Sequence, residues 1–252
     1  MSIIDDVRAA GDLLPPGFQM RFFEQLDSTN NAALDGDWPE FTVLAADSQR
    51  SGRGRLGRSW TSIPGRNLYV SIVLFPQRQT LEWGSLSLVT GVAVAKALAG
   101  LGFSPRLKWP NDVLLAGKKV AGVLCEARNA KLVAGIGLNV NQVEFADDLR
   151  HRATSLREQR GRGLSRSMVL AAVMNSFAGC YRLWQSAGFF ALASQWSELD
   201  LLAGEFVRVA FGAKVVQGRA RGIDEQGQLL VVDTAGKIRA LNSGEVSIEY
   251  GY

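Results

Sequence analysis

The sequence predicts an α+β protein in which a mixed sheet with flanking helices is followed by a small, separate β unit. Three observations predict it. Up to about residue 202, strand-like runs alternate with helix-like runs. After Gly204 the chain contains short β-type runs separated by Gly, Asp and Asn. The 252 residues, 47% of them hydrophobic, suffice for one large core with a small satellite domain.

The larger unit is predicted to span residues 21–202, after a lead-in at residues 1–20. Its predicted strands are rich in Val, Leu and Ile; they are Phe41–Ala46, Asn67–Phe75, Arg106–Trp109, Val113–Leu115, Val120–Cys125 and Leu132–Val140. Apolar residues at helical spacing predict an amphipathic helix at Leu86–Leu101, and further helices at Met168–Trp184 and Phe189–Leu199. Pro110 favours an extended segment before it, because proline disfavours helical angles in the preceding residue.

The C-terminal unit, residues 203–252, is predicted to be a small β-barrel. Its five short runs are Phe206–Phe211, Val215–Gly222, Leu229–Val232, Ile238–Leu241 and Val246–Tyr250. Turn-forming residues separate them at short intervals, as in small all-β domains.

Composition excludes several classes of protein. No run of about eighteen apolar residues is uninterrupted, so no membrane span is expected. The N-terminus lacks a basic-then-apolar signal layout, which predicts a cytoplasmic protein. Cys125 and Cys180 are interpreted as buried thiols, although a disulfide between them stays open. The single histidine, His151, is interpreted as a surface residue, and the sequence shows no His/Cys metal cluster.

A loop rich in glycine and arginine carries the strongest functional signal. Gly52-Arg-Gly-Arg-Leu-Gly-Arg58 matches G-x-G-x-x-G, but a dinucleotide fold needs a helix directly afterwards, and here Trp60, Pro64 and a strand follow. Glycines let backbone N–H groups converge on an anion, and arginines donate to phosphate and carboxylate oxygens. The loop is predicted to be mobile when empty and ordered by an anion. The alternative is a solvated hairpin loop.

Two further segments suit a phosphate site. In Lys108-Trp-Pro-Asn-Asp112, Lys108 suits a phosphate, and Asn111 and Asp112 suit a hydrated Mg²⁺; the alternative is an ordinary turn. Lys119 leads into an apolar strand and can point into a cleft, or it can keep a hairpin soluble together with Lys118. The small residues of Gly135-Ile-Gly-Leu-Asn-Val-Asn141 can let a flat ligand lie against the backbone.

Together these segments resemble the biotin protein ligase family. The resemblance covers Asp27-Ser-Thr-Asn30, the glycine–arginine loop, Lys108-Trp-Pro-Asn-Asp112 with Lys119-Val-Ala-Gly122, Gly135 to Asn141, and Ala153-Thr-Ser-Leu156, in that order. It implies a mixed-sheet catalytic domain like those of class II aminoacyl-tRNA synthetases and biotin ligases, followed by an SH3-like barrel. It also implies a form without the N-terminal DNA-binding domain that the family often carries, hence no DNA binding.

The resemblance implies an enzyme that activates biotin with ATP as biotinyl-5′-AMP and transfers it to one lysine of a biotin carboxyl carrier protein. The residues implied to bind biotin are Ser28, Thr29, Asn30, Gln49, Gly52, Arg53, Arg55, Gly122 and Leu124. Those implied to bind ATP or the adenylate are Arg55, Arg58, Trp60, Lys108, Lys119 and Asn139. Lys119 and Arg55 are implied to be catalytic, and Asn111 and Asp112 to hold Mg²⁺. Family members are often dimers, so a homodimer is one option.

Two rival functions stay open. A lipoate or octanoate ligase of the same superfamily would have less use for the polar Ser28, Thr29 and Gln49, because those acids lack the ureido ring. A basic nucleic-acid-binding protein is also compatible with the net charge of +4. The mixed charge of residues 203–252 disfavours it.

Overall fold

The computed structural model describes residues 7–249. Residues 1–6 of the predicted lead-in, and Tyr250 of the last predicted strand, lie outside them. The helices are α1 (Thr29–Asp35), α2 (Leu86–Gly100), α3 (Leu156–Arg160), α4 (Arg166–Ala187) and α5 (Phe190–Leu199), with short 3-10 turns at Gly11–Leu13, Arg55–Gly57 and Thr80–Ser85. The strands of the larger unit are β1 (Gln19–Leu26), β2 (Thr42–Gln49), β3 (Leu68–Leu74), β4 (Pro105–Lys108), β5 (Asp112–Leu115), β6 (Lys118–Arg128) and β7 (Lys131–Leu138).

The seven strands form one mixed sheet, as predicted. Their order is β1-β2-β3-β7-β6-β5-β4. Only the β1–β2 pairing within this sheet is parallel; β2–β3, β3–β7, β7–β6, β6–β5 and β5–β4 are antiparallel. The predicted strands are confirmed with small shifts at their ends, and β6 runs three residues further than expected. Strand β1 begins at Gln19, so it overlaps the last two residues of the predicted lead-in.

Helix α2 lies where it was predicted, but the prediction that it is amphipathic was wrong. Its described residues are buried on nearly every side, with Lys96, Ala99 and Gly100 as the exposed exceptions. It packs against α4 on one side and the sheet on the other, so both of its faces need apolar residues. The segment Thr80–Gly100 is long and apolar enough to cross a membrane, but 67% of its most apolar 18-residue window is buried inside the fold, as in the core helix of a globular domain.

The C-terminal unit is a five-stranded antiparallel sheet that is consistent with an SH3-like domain. Its strands are β8 (Phe206–Phe211), β9 (Lys214–Ile223), β10 (Leu229–Asp233), β11 (Ile238–Leu241) and β12 (Glu245–Ile248). They follow the order β11-β10-β9-β8-β12, with β11 and β12 at the edges.

The two units are joined by buried contacts. The Trp109 indole N–H donates to the Gly227 carbonyl at 3.0 Å, and Trp109 is 2% exposed. Within the larger unit, the Leu201 N–H donates to the Leu107 carbonyl at 2.8 Å and ties the segment before the C-terminal unit to β4. Arg55 contacts Gly244 and Arg58 contacts Glu245, so β12 and its preceding turn lie beside the glycine–arginine loop.

Candidate active site

A cleft of about 1160 Å³ opens on the large sheet beneath the glycine–arginine loop. Fifteen of the sixteen side chains predicted for the site line it: Ser28, Thr29, Asn30, Gln49, Arg53, Arg55, Arg58, Trp60, Lys108, Asn111, Asp112, Lys119, Gly122, Leu124 and Asn139. Gly52 does not line the cleft. A Cβ at position 52 would lie 2.6 Å from the Trp60 carbonyl oxygen, so its contribution is to let two loop segments approach.

The floor of the cleft is polar because α1 begins there. Ser28 caps the helix by accepting from the Asn31 N–H, and its neighbour Thr29 is buried. The Thr29 N–H and hydroxyl both donate to the Gln49 Oε1, at 2.8 and 3.2 Å. These bonds fix the Gln49 carboxamide at the end of β2, with its NH₂ group available as a donor.

The loop itself is a short, closed hairpin. The Gly54 N–H donates to the Arg58 carbonyl at 2.7 Å, and the Trp60 N–H donates to the Gly52 carbonyl at 2.8 Å. At its tip Leu56 and Gly57 both have positive φ, of 54° and 75°. Positive φ is energetically unfavourable for a leucine, and such strained residues are often found in functional loops.

Two loop arginines contact the C-terminal unit. The Arg55 guanidinium donates to the Gly244 carbonyl at 3.3 Å. Arg58 forms an ion pair with Glu245 at the start of β12. Burial lowers the pKa of Arg55, an effect that the nearby Asp112 and Glu245 oppose. The C-terminal unit therefore forms one wall of the cleft.

Lys119 and Lys108 place two further cations in the cleft. The Lys119 Nζ lies 2.6 Å from the Asp112 Oδ1, across the β5–β6 hairpin. The register of that hairpin shifts between Val113 and Leu114, and such a bulge re-aims side chains. Burial lowers the pKa of Lys108 below its ordinary value of 10.5; Asp112 opposes this, whereas Lys119 and Arg58 add to it.

The indole of Trp60 lies over the backbone of β6 and β7. Gly122 and Gly137 are cross-strand partners, and a Cβ on either one would lie 2.9 or 2.5 Å from the indole. The Lys119 Nζ lies 5.3 Å from the centre of the same ring system, within range of a cation–π interaction. At Gly137 a tryptophan of the chain itself lies against the backbone, and the expectation that a flat ligand lies against residues 135–141 stays a prediction.

Two of the predicted site residues are asparagines whose side-chain NH₂ groups donate hydrogen bonds to other parts of the protein. The Asn139 Nδ2 donates to the Thr154 carbonyl at 3.0 Å. The Asn30 Nδ2 donates to the Leu124 carbonyl and to Glu126. Both asparagines are buried, and these bonds give them a supporting position at the edge of the cleft.

The carboxylate of Asp112 suits a magnesium ion that arrives with a nucleotide. Asn111 is tied to β6, because its Nδ2 donates to the Val123 carbonyl at 2.7 Å. Among residues 7–249, no three His, Cys, Asp or Glu side chains are grouped to hold a metal ion. One carboxylate matches the usual binding of Mg²⁺, which keeps phosphate and water oxygens as its other ligands.

Sequence reasoning missed the cleft residues of the C-terminal unit. Arg208 and Glu245 both line the cleft, as do His151 and Arg152 from the segment before α3. His151 is exposed, as expected, and both cysteines are free thiols. No local pattern singles out Arg208 or Glu245, because ordinary surface charges of a β-domain look the same.

Residues 22–142 match the profile of the Biotin/lipoate A/B protein ligase family, and residues 203–248 match that of the Biotin protein ligase C terminal domain. The chain is 32% identical over 243 residues to the Bifunctional ligase/repressor BirA of Bacillus subtilis, covering 92% of this chain and 74% of that one. It is 34% identical over 225 residues to the Biotin–[acetyl-CoA-carboxylase] ligase of Mycobacterium tuberculosis, covering 87% and 81%.

Solved structures give the same result. A biotin protein ligase from Aquifex aeolicus, determined in complex with biotin and ATP, superimposes with a TM-score of 0.83. It is 34% identical, and the match covers 92% of this chain and 99% of that one.

Proposed function

Because the chain belongs to the biotin protein ligase family, we propose that it activates biotin with ATP and transfers it to a lysine of a biotin carboxyl carrier protein. The observation that carries the proposal is the convergence of Arg55, Arg58, Lys108 and Lys119 beside the polar floor at Thr29 and Gln49. A carboxylate and a triphosphate repel each other, and cations placed around both offset that repulsion.

The first step joins the two substrates. A biotin carboxylate oxygen attacks the α-phosphorus of ATP, a P–O bond forms, and pyrophosphate leaves. In this proposal Ser28, Thr29 and Gln49 hold the ureido end, with Gly122 and Leu124 lining the pocket. Lys119 and Arg55 stabilise the charge that develops at the α-phosphate, Arg53 holds the biotin carboxylate, and Arg58 and Lys108 hold the remaining phosphate oxygens.

Magnesium would supply charge neutralisation at the phosphates, with Asp112 and Asn111 as its protein contacts. Because Asp112 pairs with Lys119, a bound cation would also release Lys119 towards the substrate. Trp60 and Asn139 support the adenylate side of the cleft.

The second step transfers the acyl group. The neutral amine of the carrier lysine attacks the carbonyl carbon of the adenylate, an amide bond forms, the nitrogen releases one proton to solvent, and AMP leaves with the bonding electrons. No nucleophilic side chain of the enzyme is needed. The carrier, a homodimer and a cytoplasmic location remain parts of this proposal.

The test is mass spectrometry of a biotin carrier domain after incubation with the protein, ATP, Mg²⁺ and biotin. The expected product is a carrier with one added biotinyl group, formed only when ATP is present. Parallel incubations with lipoate and octanoate separate the rival ligase, since that enzyme would form those acyl-adenylates instead. An unmodified carrier together with no acyl-adenylate from any of the three acids would contradict the proposal.

A further inference from the structure

Glu126 is a cleft-side acid without an assigned role. It lies on β6 opposite Val133, and its side chain is 25% exposed. Glu126 does not itself line the cleft, but both residues that donate hydrogen bonds to its carboxylate do. Its Oε2 accepts two hydrogen bonds, from the Arg53 Nη2 at 2.7 Å and from the Asn30 Nδ2 at 2.8 Å.

These two donors belong to different parts of the site. Arg53 comes from the glycine–arginine loop, and its Nη2 also donates to the Asn31 Oδ1 at 2.7 Å. Asn30 comes from the first turn of α1 and is 4% exposed. One carboxylate oxygen therefore joins the loop to the floor of the cleft.

The orientation of the Asn30 amide follows from its partners. Its NH₂ group faces two acceptors, the Leu124 carbonyl at 3.0 Å and the Glu126 carboxylate, whereas its Oδ1 accepts from the Ser71 hydroxyl at 2.6 Å. A Cβ at position 135 would lie 2.1 Å from that Oδ1, so Gly135 provides the space for the amide. Asn30 is fixed on three sides.

The network continues to the residues proposed to hold biotin. The Ser71 Oγ lies 2.8 Å from the Thr29 Oγ1, and the Thr29 backbone N–H donates to the Gln49 Oε1 at 2.8 Å. A chain of hydrogen bonds thus runs from Arg53 through Glu126, Asn30, Ser71 and Thr29 to Gln49. Buried chains of this kind polarise one another and fix one geometry.

We propose that Glu126 is a positioning residue for biotin: its carboxylate holds Arg53 and the floor of the biotin pocket in one arrangement before the substrate binds. The proposal rests on the proposed function, since it names the site that Glu126 supports. Its charge matters because a guanidinium held by a carboxylate is fixed more strongly than one held by a neutral acceptor. Glu126 acts through Arg53 and Asn30, without touching substrate.

The experiment measures biotin binding by calorimetry without ATP, and the KM values for biotin and ATP in adenylate formation. Loss of one charge-assisted hydrogen bond corresponds to about a tenfold loss of affinity. In Glu126→Gln, which keeps the size of the side chain, we expect the Kd and KM for biotin to rise about tenfold. The KM for ATP and kcat are expected to stay within about threefold.

Asp35→Asn is the matched control. Asp35 pairs with Arg128, so this pair also joins α1 to β6, but at the end remote from the cleft. It is expected to leave the KM for biotin unchanged. When Glu126→Gln is introduced into the Arg53→Ala variant, the Kd for biotin is expected to rise by less than about twofold. The reason is that Glu126 acts largely through Arg53.

Three results would overturn the inference. The first is an unchanged Kd for biotin in Glu126→Gln, and the second is an equal increase in the KM for biotin and for ATP. The third is a double variant in which Glu126→Gln raises the Kd for biotin by the same factor as it does in the wild type. An inactive wild-type protein would contradict the proposed function instead, so the two failures are distinguishable.

Discussion

The ammonium of Lys119 lies 2.6 Å from the carboxylate of Asp112, on adjacent strands at the edge of the cleft. The pair keeps a cation on the cleft wall while no phosphate is present. In the proposed mechanism, a phosphate would compete with Asp112 for Lys119, and Mg²⁺ would compete with Lys119 for Asp112. The same two residues can thus pair with each other in the empty cleft and bind the substrates when these are present.

Removal of the Lys119 charge should abolish most of the adenylation. Loss of one donor to a developing oxyanion typically costs about 100-fold or more in rate. Lys119→Met is therefore expected to lower kcat/KM for pyrophosphate exchange by about that factor. Lys118→Met is the control, because the Lys118 Nζ donates to the Arg150 carbonyl outside the cleft. Equal activity of the two variants would remove Lys119 from the mechanism.

Arg55→Gly should make the adenylate leak. The glycine–arginine loop is predicted to close over the anhydride and exclude water, and Arg55 ties that loop to Gly244. More biotinyl-5′-AMP should appear free in solution for each pyrophosphate released, as measured by chromatography. Arg50→Gly is the control, since Arg50 pairs with Asp27 away from the cleft. The idea fails if Arg55→Gly retains the adenylate as tightly as the wild type.

Glu245→Gln should weaken ATP binding modestly. The Arg58–Glu245 pair joins the loop to the C-terminal unit, but the two side chains are 69% and 40% exposed. Exposed pairs contribute up to about 1 kcal/mol, so the KM for ATP is expected to rise about two- to fivefold. Glu249→Gln, beyond the end of β12, should leave the KM for ATP unchanged. A larger effect at Glu249 than at Glu245 would contradict a role of the Arg58–Glu245 pair in ATP binding.

The fall of kcat/KM for ATP at alkaline pH should reflect the deprotonation of Lys108. Burial lowers the pKa of this ammonium below 10.5, so Lys108 loses its charge at a lower pH than a solvated lysine does. Because only the cation attracts phosphate, kcat/KM for ATP should fall as pH rises through that pKa. Lys108→Arg should move this limb to higher pH. Superimposable alkaline limbs for the two proteins would exclude Lys108 as the titrating group.

Gly137→Ala should displace Trp60. The added methyl group would lie 2.5 Å from the indole and cannot be accommodated without a shift. We expect a changed tryptophan fluorescence spectrum and a higher KM for both substrates. Gly179→Ala is the control, because a Cβ there meets nothing within 4 Å. An unaltered spectrum and unaltered KM values in Gly137→Ala would show that Trp60 lies elsewhere.

The fold was predictable where patterns were strong. Buried strands such as β3, which is apolar apart from Ser71 and the Tyr69 hydroxyl, were recognised within a residue of their ends. Strand β1 was missed because its mixed burial shows no clear alternation, and α1 because seven residues give fewer than two turns of period. The prediction that α2 is amphipathic was wrong for a similar reason. Apolar residues at helical spacing do not show whether a helix is buried on one face or on both.

The site was predictable as a set of motifs but not as a network. The glycine–arginine loop and Lys119 stand out because charges and glycines interrupt apolar sequence. Their partners do not: Glu126 is 73 residues from Arg53, and ordinary strand sequence surrounds it. Such pairings depend on the strand order of the sheet, which local sequence does not encode.

The most direct test of the central claim is a crystal structure with a stable analogue of biotinyl-5′-AMP. We expect the phosphate analogue to lie within hydrogen-bond distance of Lys119 and Arg55, with the ureido ring at Thr29 and Gln49. An analogue bound elsewhere, with those cations facing solvent several ångströms from any ligand atom, would contradict it.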